Sequence, residues 1–257
     1  MQYSDIILNM GWELSDKIII LTGATRVGRI VAKKLAERKA HLAISYFSSK
    51  QPAEEIRKEC RSLGIRCEIY QADVSVSGDV EKLVEQIKKD FGRIDGLVHM
   101  AATYISTPWE SLSVEDWDKS LDAIAKSAFL ISKRVGDELL KNEGEIRGKI
   151  ITISDWSVLR APYKDYLAYN VAKSAVEGLT LSLAKELAPY VTVNCIAPGP
   201  ILRPANLTDE ENEEVASKTL LRPWGGPEEI ARAVEFFMDS NFTTGVILPV
   251  DGGRSIA

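Results

Sequence analysis

A tyrosine four residues ahead of a lysine is a small acid–base device when both stand on one helix. Tyr169-Asn-Val-Ala-Lys173 has that spacing, and it opens a stretch whose apolar residues Ala172, Ala175, Val176, Leu179, Leu183 and Leu187 recur at helical intervals. Residues i and i+4 share a helical face. An ammonium there favours the tyrosinate, so the phenol is expected to titrate nearer neutrality. The same pattern recurs at Tyr46-Phe-Ser-Ser-Lys50, but behind a strand-like run, where i and i+4 share no helical face. Asp155 ends the run Ile-Thr-Ile-Ser-Asp155, with Trp156 next to it. A carboxyl group delivers protons only where burial raises its pKa. Ionised, it still orients an N–H donor on a substrate, which suits a nitrogen heterocycle better than a ketone. Asp155 also has a plainer reading, as a cap on the loop that follows. Trp156, Pro162, Tyr163 and Tyr166 lie between Asp155 and Tyr169. They either stack on a flat ligand ring or pack beneath the loop.

A second cluster suits an anion. Thr22-Gly-Ala-Thr-Arg-Val-Gly28 follows an apolar run and opens a helical pattern. Amides at a helix N-terminus, together with the helix dipole, favour negative charge. Glycine lets the backbone approach a pyrophosphate. Gly23, Thr25, Arg26, Val27 and Gly28 are therefore candidate dinucleotide contacts, against the alternative of an ordinary glycine-containing turn. The next run ends in Tyr46-Phe-Ser-Ser-Lys50, with no carboxylate before Glu54. A carboxylate at this place grips a ribose 2′-hydroxyl. Ser48, Ser49 and Lys50, with Arg26, suit a 2′-phosphate instead, so the expected cofactor is NADP(H). Otherwise they are solvated loop residues.

Short apolar runs alternate with amphipathic stretches along the whole chain. The runs are Ile18–Thr22, Leu42–Tyr46, Cys67–Gln71, Gly96–His99, Ile150–Ser154, Thr192–Ile196 and Val246–Val250. Most lack period-two alternation, as strands buried on both faces do. Helical spacing appears in Val27, Ile30, Val31, Leu35 and in Val80, Leu83, Val84, Ile87. Ser113-Val-Glu-Asp116 reads as a capping box before Trp117 and Leu121. The order implies an α/β, Rossmann-like, doubly wound parallel sheet with helices on both faces. The 257 residues, 45% hydrophobic and 27% charged, suit one domain over 1–257 with a full-sized core. Residues 1–15 read as an N-terminal extension without a signal peptide, and whether Met10 is the better start stays open. Residues 201–227, with Pro200 before them and Pro204, Pro223 and the acidic patch Asp209–Glu214 within them, break the rhythm and read as a substrate-loop excursion. A net charge of −5 gives no basic footprint for nucleic acid, and no apolar run is long enough to cross a membrane. Cys60, Cys67 and Cys195 carry no metal-ligand spacing and suit reduced thiols in a cytoplasmic protein, with no metal site expected.

Taken in order, these residues resemble the short-chain dehydrogenase/reductase family over almost the whole chain. The markers are Thr22-Gly23 with Gly28, Asp73-Val74, Val98-His-Met-Ala-Ala102 where the family carries Asn-Asn-Ala-Gly, Tyr169 with Lys173, Asn194, Pro198-Gly199 and Val250-Asp-Gly-Gly253. The resemblance implies that Tyr169 exchanges the proton and that Lys173 binds the nicotinamide ribose. It places Asp73 and Val74 at the adenine, Ala101 and Ala102 beside the cofactor, and Pro198, Gly199 and Ile201 at the nicotinamide. It also implies a homotetramer or dimer, with the helices near Ser113 and Tyr169 at the interface. The departures are specific. The first turn is one residue short and lacks its middle glycine; Arg26-Val27-Gly28 looks like the Arg-Leu-Gly of pteridine reductases. Ile124 stands where the family has an asparagine that holds a relay water. His99 and Met100 replace two amides, and His99 reads as a half-buried strand residue. Asp155 occupies the place of the catalytic serine, as in pteridine reductases, although Ser154 or Ser157 could fill that role. The expected function is hydride transfer from NADPH to a C=O or C=N bond of a small molecule, a pterin or a 3-oxoacyl thioester or other ketone. Asp155, Trp156 and Tyr163 are the expected substrate contacts. The alternative is a dinucleotide-sensing or regulatory protein that kept the fold and lost turnover. Met100, Ile124 and the short turn favour that alternative, and the intact Tyr169–Lys173 pair opposes it.

Overall fold

The seven apolar runs become seven strands: β1 (Ile18–Thr22), β2 (His41–Tyr46), β3 (Cys67–Gln71), β4 (Gly96–His99), β5 (Gly148–Ile153), β6 (Val191–Pro198) and β7 (Ile247–Val250). The structure is a computed structural model that describes residues 12–203, 207–221 and 224–257. All strand pairs are parallel, in the order β3-β2-β1-β4-β5-β6-β7. The chain winds outward from β1 to β3, then restarts at β4 on the other side of β1. Ligands of open α/β sheets bind at such a reversal, beyond the carboxyl ends of the strands.

Successive side chains of β1 point to opposite faces. Ile19 and Leu21 join one buried cluster and Ile20 the other. On the first face lie α1 (Val27–Glu37), α2 (Lys50–Ser62) and α9 (Pro227–Asp239), which contribute Val31, Leu35, Ile56, Ile230, Val234 and Phe237. The second face is covered by α3 (Ser77–Phe91), α5 (Ser127–Leu139) and α7 (Leu167–Glu186), through Val80, Leu83, Val84, Ile87, Ile131, Val135 and Leu183. β1 and β4 are buried along their whole length, the reason they read as unbroken apolar runs.

α4 (Val114–Leu121) starts at the expected capping box. Ser113 Oγ accepts from Asp116 N at 3.1 Å, and Asp116 Oδ2 accepts from Ser113 N at 3.2 Å. A π-turn over Asp122–Lys126 then joins α4 to α5. α6 (Ser157–Arg160) is a single turn after β5.

The acidic patch in the excursion is itself helical, as α8 (Asp209–Ser217). Pro204 and Pro223 lie outside the described residues, as do residues 1–11 of the expected extension. Its remaining part is packed, with Trp12 and Leu14 in the first-face cluster. Lys50 begins α2 and does not extend the strand-end loop.

Candidate active site

α7 presents Tyr169 and Lys173 on one face in its first two turns, beside the end of β5. Its start is fixed by the loop after β4, where Thr107 N donates to Asp165 O at 2.6 Å. Tyr169 is 5% exposed and Lys173 4%. The Tyr169 hydroxyl donates to Asp155 Oδ2 at 2.7 Å, and Asp155 Oδ1 accepts from Ser157 N at 2.9 Å. Lys173 Nζ donates to Ile153 O at 2.9 Å and lies 5.9 Å from the Tyr169 ring centroid. Tyr169 and Lys173 share a helical face, as i, i+4 spacing implies, and Asp155 joins Tyr169, but the electrostatics run the other way. Burial and then the Asp155 charge hold the Tyr169 phenol well above its ordinary pKa of 10.0. The expectation of an acidified phenol is corrected here: burial and a carboxylate outweigh the ammonium. Burial also lowers the affinity of Lys173 for its proton.

Neither alternative serine is bonded to Tyr169. Ser154 Oγ donates to Glu177 Oε1 at 2.6 Å, and the Ser157 hydroxyl is buried without a partner among the described residues. The cap reading of Asp155 is realised at the same time as its contact with Tyr169, because its two oxygens serve one role each.

The aromatic residues form one cluster above the pair. Trp156 Nε1 donates to Tyr163 Oη at 2.6 Å. Tyr104, from the loop after β4, stacks on Tyr166 at 4.5 Å and meets the Tyr169 ring edge-on at 5.0 Å. Tyr104 was not a sequence candidate; its role depends on two distant loops crossing. Tyr163 and Tyr166 therefore pack against each other and against Tyr104, next to Tyr169.

A cavity of about 380 Å³ opens at the reversal between β1 and β4. Gly23, Thr25, Ser48, Ser49, Asp73, Val74, Ala101 and Ala102 line it. Arg26, Val27, Gly28 and Lys50 do not, nor do Tyr169, Lys173 and Asp155, so neither Arg26 nor Lys50 is part of its wall and the tyrosine–lysine pair lies outside it. Thr22, Phe47, Met100, Ala123 and Ser127 line it as well, none of them a candidate contact from residue type or spacing. Ile201 belongs to a separate cavity of about 570 Å³ with Val250 and Asp251, and Pro198 and Gly199 line neither.

The cradle suits a dinucleotide. A Cβ on Gly23 would sit 2.6 Å from Ala101 N, and one on Gly28 2.6 Å from Gly23 O. The turn is thus packed backbone to backbone, against the segment after β4 at Gly23 and against itself at Gly28, with no room for a side chain at either. The missing middle glycine has a visible consequence: Arg26 takes φ 50, in the left-handed region. Asp73 is the one carboxylate among the described residues lining the cavity, and its Oδ1 already accepts from Ser75 N and Oγ. The β2 end contributes no acid.

His99 is 3% exposed, so the half-buried expectation is corrected to full burial. Ile124 is 1% exposed within the π-turn and offers no side-chain hydrogen bond.

The family model that matches this chain, over residues 23–255, is described as enoyl-(acyl carrier protein) reductase. An uncharacterized oxidoreductase of Escherichia coli, YohF, is 32% identical over 244 residues, covering 93% of this chain and 95% of that protein. The 3-oxoacyl-[acyl-carrier-protein] reductase FabG of Staphylococcus aureus is also 32% identical over 244 residues, covering 92% and 97%. A short-chain dehydrogenase of Burkholderia cenocepacia, solved in complex with NADP, superposes with a TM-score of 0.86 at 27% identity, covering 94% of this chain and 99% of that one.

Proposed function

The chain belongs to the short-chain dehydrogenase/reductase family, and from that premise we propose an NADPH-dependent reductase that acts on a C=N or C=O bond of a nitrogen heterocycle of the dihydropterin type. The observation that carries the reading is the 2.7 Å hydrogen bond from the Tyr169 hydroxyl to Asp155 Oδ2, on a carboxylate that is partly exposed. When bound, the dinucleotide supplies the hydride. Gly23 and Thr25 would hold the pyrophosphate, Asp73 and Val74 the adenine, Ser48 and Ser49 the 2′-phosphate, and Lys173 the nicotinamide ribose.

Tyr169 keeps its proton at neutral pH, which suits reduction: the phenol donates to the atom that gains negative charge as hydride arrives. Asp155 is partly exposed. Its carboxylate can take an N–H of the substrate in place of the phenol, freeing that hydrogen for the reacting centre. Tyr104, which is exposed, and the partly exposed Tyr163 meet edge-on beside Tyr169 and offer aromatic surface to a flat ring, whereas Trp156 is buried. A simple ketone uses none of these features except the phenol. A 3-oxoacyl thioester is the second reading, supported by the S. aureus relative.

We place the protein in a reducing compartment because its three cysteines are free and buried. Among the described residues no helix is long and apolar enough to cross a membrane. Trp109, Val114, Phe129, Leu167 and Val171, exposed on or beside α4, α5 and α7, support a homo-oligomer.

The test is NADPH oxidation with dihydropterins and acetoacetyl thioesters, for the wild type and Tyr169→Phe. Turnover of dihydropterins that depends on the phenol is expected. A chain that binds NADPH and is as inert as its Tyr169→Phe variant on every carbonyl and pterin would instead be a sensor.

A further inference from the structure

His99 ends β4 with its two ring nitrogens on different partners. Nδ1 is 2.8 Å from Thr22 Oγ1, and Nε2 is 3.4 Å from Ser127 Oγ. The direction of each bond follows from counting hydrogens. Thr22 Oγ1 accepts from Ala101 N at 3.3 Å and takes a share of Met100 N, which lies 3.2 Å from both Thr22 Oγ1 and Thr22 O, so two amides face its lone pairs. Its single hydrogen is left for Nδ1, so Nδ1 is the bare acceptor and the ring proton sits on Nε2. At the far end, Ser127 gives its hydrogen to Ala123 O at 2.7 Å, shared with Ile124 O at 3.1 Å. A lone pair of Ser127 remains for Nε2–H.

The two ends belong to different elements. Thr22 is the first residue of the glycine turn. Ser127 follows the π-turn, whose widened helical ladder leaves carbonyls in need of donors. Thr22, Ala101, Ala123 and Ser127 all line the same cavity. Protonation of the ring would turn a second ring N–H toward Thr22 Oγ1, whose lone pairs already face Met100 N and Ala101 N. Burial and the Lys173 charge push the His99 pKa down to about 3, in agreement with a neutral ring.

We infer that His99, fixed as the neutral Nε2–H tautomer, is a positioning residue that ties the glycine turn to the π-turn and so sets the affinity of the cleft for its dinucleotide. The affinity half of this inference rests on the cofactor reading above; the tautomer does not.

The chain has two histidines, His41 and His99. A long-range ¹⁵N–¹H spectrum of the labelled protein, assigned with His41→Gln, therefore reads His99 directly. The expected result is a pyrrole-type Nε2 and a pyridine-type Nδ1, unchanged from neutral pH to the acid limit of folding. An imidazolium, or an Nδ1–H ring, overturns the inference. His99→Asn keeps an acceptor near the Nδ1 place, His99→Gln keeps a donor near the Nε2 place, and His99→Phe keeps neither. His99→Phe is expected to raise the NADPH dissociation constant about tenfold, with the Asn and Gln variants in between. Turnover at saturating NADPH is expected to stay within about twofold, the split that separates positioning from general loss of structure. A folded His99→Phe chain with wild-type NADPH affinity overturns the inference. Should that variant not fold, NADPH titrated into the wild type decides: the Nε2–H signal must move as the cleft fills, and a static signal overturns the link. A wild type that binds no NADPH by calorimetry removes the cofactor reading and the affinity half together, and the spectrum still tests the tautomer.

Discussion

The hydroxyl hydrogen of Tyr169 is committed to Asp155 Oδ2, 2.7 Å away. In the resting cleft the phenol is therefore a protonated group held by a carboxylate, not a tyrosinate held by an ammonium. Substrate must compete for that carboxylate, and a substrate with its own N–H does so best.

Removing the phenol oxygen tests its role. Tyr169→Phe is expected to lower kcat/KM by about 10²–10⁴, the usual worth of a positioned acid, while NADPH affinity holds. Asp155→Asn gives a sharper readout. The Asp155 charge is a principal cause, after burial, of the raised Tyr169 pKa. Reduction needs the protonated phenol, so activity falls as pH rises through that pKa. In the wild type this alkaline limb lies above the ordinary phenol value of 10.0; in Asp155→Asn it moves to lower pH. A limb in the same place for both proteins contradicts the geometry.

Cofactor choice depends on the absence of an acid at the end of β2. Ser49 lines the cavity. Ser49→Glu puts a carboxylate where a 2′-phosphate is expected, and like charges there repel. The KM for NADPH is expected to rise about tenfold or more, with the KM for NADH level or lower. Equal changes in both, measured at one ionic strength, count against the 2′-phosphate site.

Much of this arrangement is legible in the chain itself, for a physical reason. Parallel strands buried on both faces leave unbroken apolar runs, so Ile18–Thr22 and Gly96–His99 read to the residue. Local hydrogen bonding is equally visible, as at Ser113 and Asp116. α2 is harder to see: it is strongly charged, has Pro52 in its first turn, and buries only Ala53, Ile56 and Cys60. Tyr104 is invisible, because its stacking on Tyr166 needs two loops 62 residues apart in sequence to cross. The direction of the Tyr169 pKa is lost for the same reason. Spacing reports the lysine one turn away, and only the folded cleft reports how completely water is removed.

The glycine cradle predicts a loss that couples binding to stability. Gly28→Ala puts a Cβ 2.6 Å from Gly23 O, a backbone atom that cannot swing aside. Overpacking of this kind costs about 1–3 kcal/mol. Because the displaced atom belongs to the turn facing the cavity, NADPH affinity should fall along with the urea midpoint. A variant that is destabilised but binds NADPH normally would separate Gly28 from the site.

The last prediction concerns the opposite end of the sheet. Lys149, on β5, is 0% exposed. Its ammonium donates to Ser240 O at 2.7 Å and Asn241 Oδ1 at 2.9 Å, and stands 4.9 Å from the Trp12 ring centroid. Burial lowers its pKa from 10.5 to about 8. Below that value the folded and unfolded chains both carry the proton, and folding bears the full cost of the buried charge, about 3 kcal/mol. Between about 8 and 10.5 the unfolded chain binds more protons than the folded one. Stability from this group therefore rises with pH across that window and levels off above it. Tyrosines and cysteines titrate in the same range, so the difference from Lys149→Met is the informative quantity. As pH goes from 7 to above 10, the urea-unfolding free energy should shift in favour of the wild type relative to Lys149→Met by up to about 3 kcal/mol. A difference that stays flat with pH means that Lys149 keeps its ordinary affinity for the proton inside the fold.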